Sequence, residues 1–299
     1  MNISKSRFTT NAKIDDLDNG LNCSYICIES DLYSINDNHG AGYNFKESEI
    51  KFKVNGVERV LNYYEKSSVN GASFPKVSLI DSIFTDILLI KLDDIPSNID
   101  LSYRNNKSII AYRSWAEMIK KAIVRFLDID ISELQAGYRI LNDYFEIYIA
   151  DTLENGAGIS KYVSNNDTFK DIILKTYIYP DNESLFDFYQ KHNCDKSCYD
   201  CISDYNNRFE STLLDWRLGL DMINLSVNNN FEFSLLNTYW KNLLDKYFMG
   251  KYTIKDDNVF YEDSLVCHPL FSDRYIEILK EKYKVENAIK IDKLIHIKK

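Results

Sequence analysis

His192-Asn-Cys194-Asp-Lys-Ser-Cys198-Tyr-Asp-Cys201, running on through Ile-Ser-Asp-Tyr-Asn-Asn-Arg-Phe-Glu-Ser-Thr-Leu-Leu-Asp-Trp-Arg-Leu-Gly-Leu-Asp221, is the stretch on which the reading of this 299-residue chain turns. His192, Cys194, Cys198 and Cys201 are four soft ligands packed into one short segment. A tetrahedral Zn2+ takes four nitrogen or sulfur donors at about 2.0–2.3 Å, and a Cys-x2-Cys turn presents two thiolates to one ion. The spacing therefore predicts a small inserted structural zinc site on these four residues. Three thiolates, one neutral imidazole and Zn2+ leave one net negative charge, which suits a closed site. A loop of reduced thiols beside an incidental histidine is the plain alternative. Cys198-x2-Cys201 is also the spacing of a redox pair, although that reading leaves Cys194 and His192 without a role.

Downstream, Leu213, Trp216, Leu220 and Ile223 recur at helical spacing and place an apolar stripe on a helix. Asp215 and Asp221 fall off that stripe. Arg217 is expected to pair with Asp221 four residues on, or to meet a ligand.

These residues also carry a resemblance. The His192-x-Cys194-x3-Cys198-x2-Cys201 spacing is similar to the Cys-x-Cys-x3-Cys-x2-Cys zinc module at the C-terminus of MrfA-type superfamily 2 helicases, with His replacing the first Cys. Further runs look most like the large non-helicase, DrmB-like component of the DISARM phage-defence systems. They are Thr-Asp-Ile-Leu-Leu-Ile-Lys-Leu (85–92), Asp-Thr-Leu-Glu-Asn-Gly-Ala-Gly (151–158), Ser-Cys-Tyr-Asp-Cys (197–201) and Leu-Asp-Trp-Arg-Leu (214–218). Cys-His-Pro-Leu-Phe (267–271) fits less specifically. The runs keep the family's order across residues 80–271, but 299 residues correspond to only the C-terminal half of such a component. The resemblance implies a non-catalytic zinc-binding subunit of a bacterial defence complex, docking on a superfamily 2 helicase and assisting DNA binding or translocation.

The bulk properties bound this reading. Hydrophobic residues make up 45% and aromatics 14%, with 4 Pro and 10 Gly, the composition of a folded chain without long linkers. A net charge of −9 and a pI near 5.1 oppose a freely acting nucleic-acid binder, because phosphate affinity comes largely from Lys and Arg displacing counterions. Any DNA contact is expected to be local or shared with a basic partner. No apolar run reaches membrane-spanning length, and residues 1–20 lack the apolar core of a signal peptide, so a cytoplasmic protein with no membrane partner is expected. Its 6 cysteines should then be reduced.

Periodicity predicts a mixed α/β (α+β) fold, a mixed β-sheet packed by helices. Residues 1–22 read as a flexible or partner-bound arm, 23–180 as an α/β sheet region, and 181–299 as the zinc segment with a helical and αβ C-terminal region. Cys23–Glu29 reads as a strand with Cys23 and Cys27 on one face, and residues 36–44 as a polar glycine loop. Asn55-Gly56 signals a hairpin between Glu49–Val54 and Val57–Leu61. Phe84–Leu92 reads as a strand buried on both faces. Arg113–Phe126 reads as a helix whose Lys120, Lys121 and Arg125 share a basic face, solvated or set against phosphate. Gln135–Leu141 and Tyr144–Ala150 read as strands, and Phe169–Thr176 and Leu185–Gln190 as short helices. Leu235–Phe248 reads as a helix capped by Ser234, followed by a strand over 258–267, a helix over Arg274–Lys284 and a final strand over Ala288–Ile297.

Between strand and helix, residues 151–158 offer an acidic pair and two glycines. Asn155, Gly156, Gly158 and Lys161 could hold an anion where backbone N–H groups converge at a helix N-terminus. The plainer expectation is a tight turn in which Asp151 bonds its own backbone. The segment matches neither a Walker A loop nor Gly-x-Gly-x-x-Gly. A metal-dependent nuclease using Asp86, Asp151 and Glu154 with Lys161 is the alternative function, since two-metal cleavage needs clustered carboxylates and a nearby cation.

Overall fold

The computed structural model describes residues 5–8, 12–36, 41–141, 144–181 and 184–293. Its strands and helices run in chain order as β1 (Lys5–Phe8), β2 (Cys23–Asn36), β3 (Tyr43–Val54), β4 (Val57–Lys66), β5 (Phe74–Val77), β6 (Leu79–Leu92) and α1 (Asn106–Leu127). There follow β7 (Leu134–Leu141), β8 (Tyr144–Asp151), α2 (Ile159–Val163), α3 (Asn166–Ile173), α4 (Phe186–Lys191), α5 (Trp216–Val227) and α6 (Thr238–Phe248). The chain ends in β9 (Thr253–Lys255), β10 (Asn258–Tyr261), β11 (Ser264–Cys267), α7 (Asp273–Tyr283) and β12 (Asn287–Lys290). This is the expected mixed α+β arrangement of several sheets and packing helices.

The contacts group the chain into two units, Met1–Thr10 with Ser30–Phe84, and Asn11–Glu29 with Thr85–Lys299. The larger unit takes in α1, β7, β8 and α5 alike, with α1 packed on all three. Within the stretch read as an arm, Lys5–Phe8 pairs with Leu32–Ile35 of β2, and Ile14 is buried.

In the larger unit a sheet runs in the order β2, β6, β8, β7. Ile87, Leu88, Leu89 and Ile90 of β6 are fully buried, as a strand covered on both faces requires, and Ile87–Ile90 pairs antiparallel with Ala150–Ile147 of β8. Helix α1 packs on β7 and β8 of this sheet, with Tyr112 stacked on Phe145 at 4.5 Å, and buries Trp115, Met118, Ile119, Ala122 and Ile123. Asn105 opens α1 by accepting the Lys107 N–H, and Asp128 closes it in the left-handed region. On the other side of α1 lies α5, so close at Gly219 that a Cβ there would meet Met118 Sδ at 2.7 Å. A second sheet of the same unit has the order β12, β11, β10, β9, with β11 and β12 parallel and α7 between them in sequence.

The smaller unit contains a three-stranded sheet in the order β4, β3, β5. Its hairpin turns at Asn55 (φ 50°) and Gly56 (φ 79°), the two left-handed positions that an Asn-Gly turn supplies.

Several boundaries differ from the sequence reading. The aromatic helix starts at Thr238, because Ser234 accepts the Leu236 N–H in a preceding turn and Asn237 takes the entry position. Leu213 ends a 3-10 turn, and Asp215 caps the next helix by accepting the Arg217 N–H. The final strand stops at Lys290 and a helical turn follows over 291–293; its expected continuation over 294–297, part of the 36–44 loop and the 142–143 turn lie outside the described residues. Among the described residues, no helix is long and apolar enough to cross a membrane.

Candidate metal centre and the loop at 151–158

Helix α4 ends at Lys191 and its C-cap is His192, whose ring stacks on Phe188 at 4.7 Å and meets Trp216 edge-on at 5.1 Å. A tight turn then brings the Cys201 N–H to the Cys198 carbonyl at 3.1 Å, and the Cys198 N–H to Cys201 Sγ at 3.1 Å. The ligand atoms of His192, Cys194, Cys198 and Cys201 all lie within 4.8 Å of one another, a group that can hold one metal ion. Cys194 Sγ and Cys201 Sγ are 3.7 Å apart, Cys198 Sγ and Cys201 Sγ 3.6 Å, and His192 Nε2 and Cys198 Sγ 3.6 Å. Metal–sulfur and metal–nitrogen bonds of ordinary zinc length make tetrahedron edges of about 3.5–3.8 Å, so these separations match such a polyhedron. The bond donated by Cys194, helped by the Cys198 and Ile202 amides, lowers the Cys201 thiol to about 5, and the same bond pushes Cys194 up.

The cage is fastened from outside. Arg217, fully buried, donates to the Cys194 carbonyl at 3.0 Å, the Asp195 carbonyl at 2.9 Å and the Tyr239 carbonyl at 3.2 Å, with its guanidinium 4.4 Å from the Trp216 ring. Trp216 adds an indole bond to the Cys194 carbonyl at 3.3 Å, and its amide donates to the Lys196 carbonyl at 2.9 Å. From α6, Lys246 and Tyr247 both reach the Asp195 carboxylate at 2.8 Å. Arg217 is thus a clamp on the ligand loop. It neither pairs with Asp221 nor faces solvent, because a buried guanidinium needs acceptors in several directions and these three carbonyls supply them.

The basic face expected on α1 is likewise committed. Lys120 is 2% exposed, bonded to Asp204 at 2.5 Å and to Glu117 at 2.8 Å, in a chain of charges that continues to Arg113 and Glu210. A lysine so enclosed cannot reach a phosphate. Half-buried Lys121 donates to the Asp200 carbonyl at 2.7 Å and to the Cys201 carbonyl, next to the ligand set. Its positive charge would offset the single negative charge of three thiolates around a divalent ion.

At 151–158 the structure takes the plainer expectation. Asp151 is fully buried; its Oδ2 accepts from the Ala157 and Ile159 N–H groups at 2.8 and 3.0 Å, and its Oδ1 from the Ser160 N–H and hydroxyl at 3.0 and 2.7 Å. The Gly156 N–H donates to the Leu153 carbonyl and that of Gly158 to Asp86. The donors that an external anion would need already serve the chain's own carboxylates. Gly156 (φ 74°) lies so close to Asp86 that a Cβ there would overlap the carboxylate, whereas Gly158 (φ 77°) has open space. Burial, with Asp151 and Glu29 nearby, raises the Asp86 carboxyl above its usual range. Four donors fill the lone-pair positions of Asp151, so it is not an open metal ligand, while Asn155, Glu154 and Lys161 are exposed.

One centre escaped the sequence reading. Asp221 and His268 are both fully buried, 2.9 Å apart, and Asp221 also accepts from Tyr239 at 2.6 Å and Trp240 at 2.9 Å. The Leu270 N–H donates to His268 Nδ1, which leaves Nε2 as the proton donor to Asp221. The only sequence signal was the Cys-His-Pro-Leu-Phe run.

No family model matches the chain. It is 23% identical over 214 residues to Druantia protein DruE of Escherichia coli (strain UMEA 4076-1), across 68% of this chain and 11% of that protein's length. It is also similar to the crystal structure of DUF1998 helicase MrfA bound to DNA, with a TM-score of 0.39, 11% identity, and coverage of 70% of this chain and 24% of that one.

Proposed function

We propose that this chain is a non-catalytic zinc-binding subunit of a bacterial anti-phage defence complex, of the DISARM DrmB-like kind. In this reading it docks on a superfamily 2 helicase partner and assists DNA binding or translocation, in the cytoplasm. The observation that carries the reading is the Cys3His group at tetrahedral spacing, fastened by Trp216 and Arg217 of the 214–218 run. Both segments belong to the runs on which the resemblance rests, and the match to Druantia protein DruE fits a chain of this type.

His192, Cys194, Cys198 and Cys201 would hold the ion, which supplies a closed four-donor cross-link with no open position for substrate. Arg217, Lys246 and Tyr247 fix the intervening carbonyl and carboxylate groups, so the loop is presented rigidly beside α5 and α6. The acidic chain leaves most of the phosphate grip to its partner, with exposed Asn155 of the 151–158 loop and Lys161 of α2 the remaining contacts. The filling of Asp151 by four donors speaks against a nuclease built on Asp86, Asp151 and Glu154.

The test is a metal count on protein purified without chelator, joined to a binding assay. One zinc per chain, lost in Cys201→Ser, is expected. DNA affinity of the chain alone should be weak and fall steeply with salt, then rise when a superfamily 2 helicase partner is added. Metal-free folded protein, or tight salt-insensitive DNA binding by the chain alone, would overturn the reading.

A further inference from the structure

The β4–β3–β5 sheet has two edges of different character. On one side β5 is four residues long and contains Pro75, the usual blunting of an edge. On the other, β4 presents ten residues, Val-Glu-Arg-Val-Leu-Asn-Tyr-Tyr-Glu-Lys (57–66), without Pro or Gly. Nearly all of its side chains are exposed, Val60, Leu61 and Tyr64 among them by more than half.

The hydrogen-bond parity of this edge follows from the hairpin. Val54 and Val57 close a two-residue turn and exchange hydrogen bonds, so Val57, Arg59, Leu61, Tyr63 and Glu65 point their backbone groups at β3. Glu58, Val60, Asn62, Tyr64 and Lys66 therefore point theirs outward. A second β4 added antiparallel must pair outward residues with outward residues, which restricts the register to shifts of two.

One of these registers is self-complementary. With Asn62 opposite its own twin on a two-fold axis, Glu58 faces Lys66, Arg59 faces Glu65, Val60 faces Tyr64 and Leu61 faces Tyr63. Both opposite-charge pairs occur twice, and apolar residues oppose aromatic ones on both faces of the sheet. Shifting by two residues in one direction sets Glu58 against Tyr64 and Arg59 against Tyr63; shifting in the other sets Val60 against Lys66 and Leu61 against Glu65. Neither keeps a charge pair. We propose that β4 is the homodimer edge of this protein: a second copy pairs antiparallel through Val57–Lys66 about Asn62, joining two three-stranded sheets into one of six strands.

The experiment uses the full chain. Sedimentation velocity across a concentration series should show a monomer–dimer equilibrium in the parent. Arg59→Glu and Glu65→Arg each set like charges face to face and should weaken the dimer about tenfold or more, whereas the double reversal should restore it. Asn62→Pro removes an outward N–H without touching the β3 ladder and should abolish association, with circular dichroism unchanged. Asn62→Cys should give a disulfide-linked dimer under mild oxidation that the parent does not give. A parent that stays monomeric at about 100 µM overturns the proposal. So does a dimer that ignores Arg59→Glu and Asn62→Pro and is not trapped by Asn62→Cys, since its interface then lies elsewhere.

Discussion

Arg217 donates a guanidinium N–H to the carbonyl of Cys194, 3.0 Å away, and so ties the second residue of the Cys3His group to helix α5 from 23 residues downstream. Two further bonds from the same group go to the carbonyls of Asp195 and Tyr239. Removing it takes a charged donor from three carbonyls, of which that of Cys194 keeps the Trp216 indole, and an acceptor left unmade in the interior costs about 1–3 kcal/mol. Arg217→Ala is therefore expected to lower stability by about 3 kcal/mol or more and to speed zinc loss to a chelator at least tenfold. Arg217→Lys should recover little, because a point charge cannot serve carbonyls in three directions. Zinc release at the parent rate in both variants would show the guanidinium to be a passenger.

The Asp221 carboxylate gathers Tyr239, Trp240 and His268, joining α5, α6 and the segment after β11 at one buried point. Asp221→Ala leaves three donors without an acceptor and is expected to cost about 3–5 kcal/mol. His268→Ala should cost less, since Asp221 keeps two donors. The double variant should be less destabilised than the sum, with a coupling of about 1 kcal/mol or more in a denaturant titration. Additive losses would mean that the 2.9 Å contact carries no energy of its own.

How far the sequence could be read follows from how local each interaction is. The ligand set was legible because its members are adjacent and its spacing is chemical, and the Asn55-Gly56 hairpin because two left-handed residues sit in one dipeptide. Helix α1 was legible from its apolar period over Arg113–Phe126, but not its first turns from Asn106. The charged residues were not. Lys120 and Arg217 look solvent-directed by type, yet Lys120 is held by Asp204, 84 positions on, and Arg217 by a loop more than 20 positions back. The partner of Asp221 is 47 residues away. Periodicity assigns a face to a side chain, but whether a charge is buried depends on a partner that no local pattern names. At 151–158 the pattern shows the glycines but not what the neighbouring amides meet: the Ala157, Ile159 and Ser160 N–H groups converge on the chain's own Asp151.

That loop separates the two glycines experimentally. Gly156→Val adds bulk where the Asp86 carboxylate already lies and forces a branched residue to φ 74°, so unfolding or insolubility is expected. Gly158→Ala meets no neighbour and carries only left-handed strain, about 1 kcal/mol, with zinc content and any DNA response unchanged. Asp151→Asn is expected to be costly as well, because its amide nitrogen would confront N–H groups. A folded, stable Gly156→Val protein would contradict the close approach of residue 156 to Asp86.

Asp215 provides a pH signature. It caps α5 by accepting the Arg217 N–H at 3.1 Å, is buried beside α1, and burial raises its carboxyl to about 6 despite the attraction of Arg217. The folded state thus holds this proton more tightly than the unfolded chain, whose aspartates titrate near 3.8. The stability the group contributes is complete below about pH 4 and is lost as pH rises through about 6. Asn keeps a side-chain oxygen for the cap and has no proton to lose. The stability of Asp215→Asn relative to the parent should therefore climb between about pH 4 and pH 7 by a few kcal/mol and level off above that range. Taking the difference between the two proteins cancels acid loss of the metal, which both share. A flat difference across that range would mean that Asp215 titrates alike in the folded and unfolded chain.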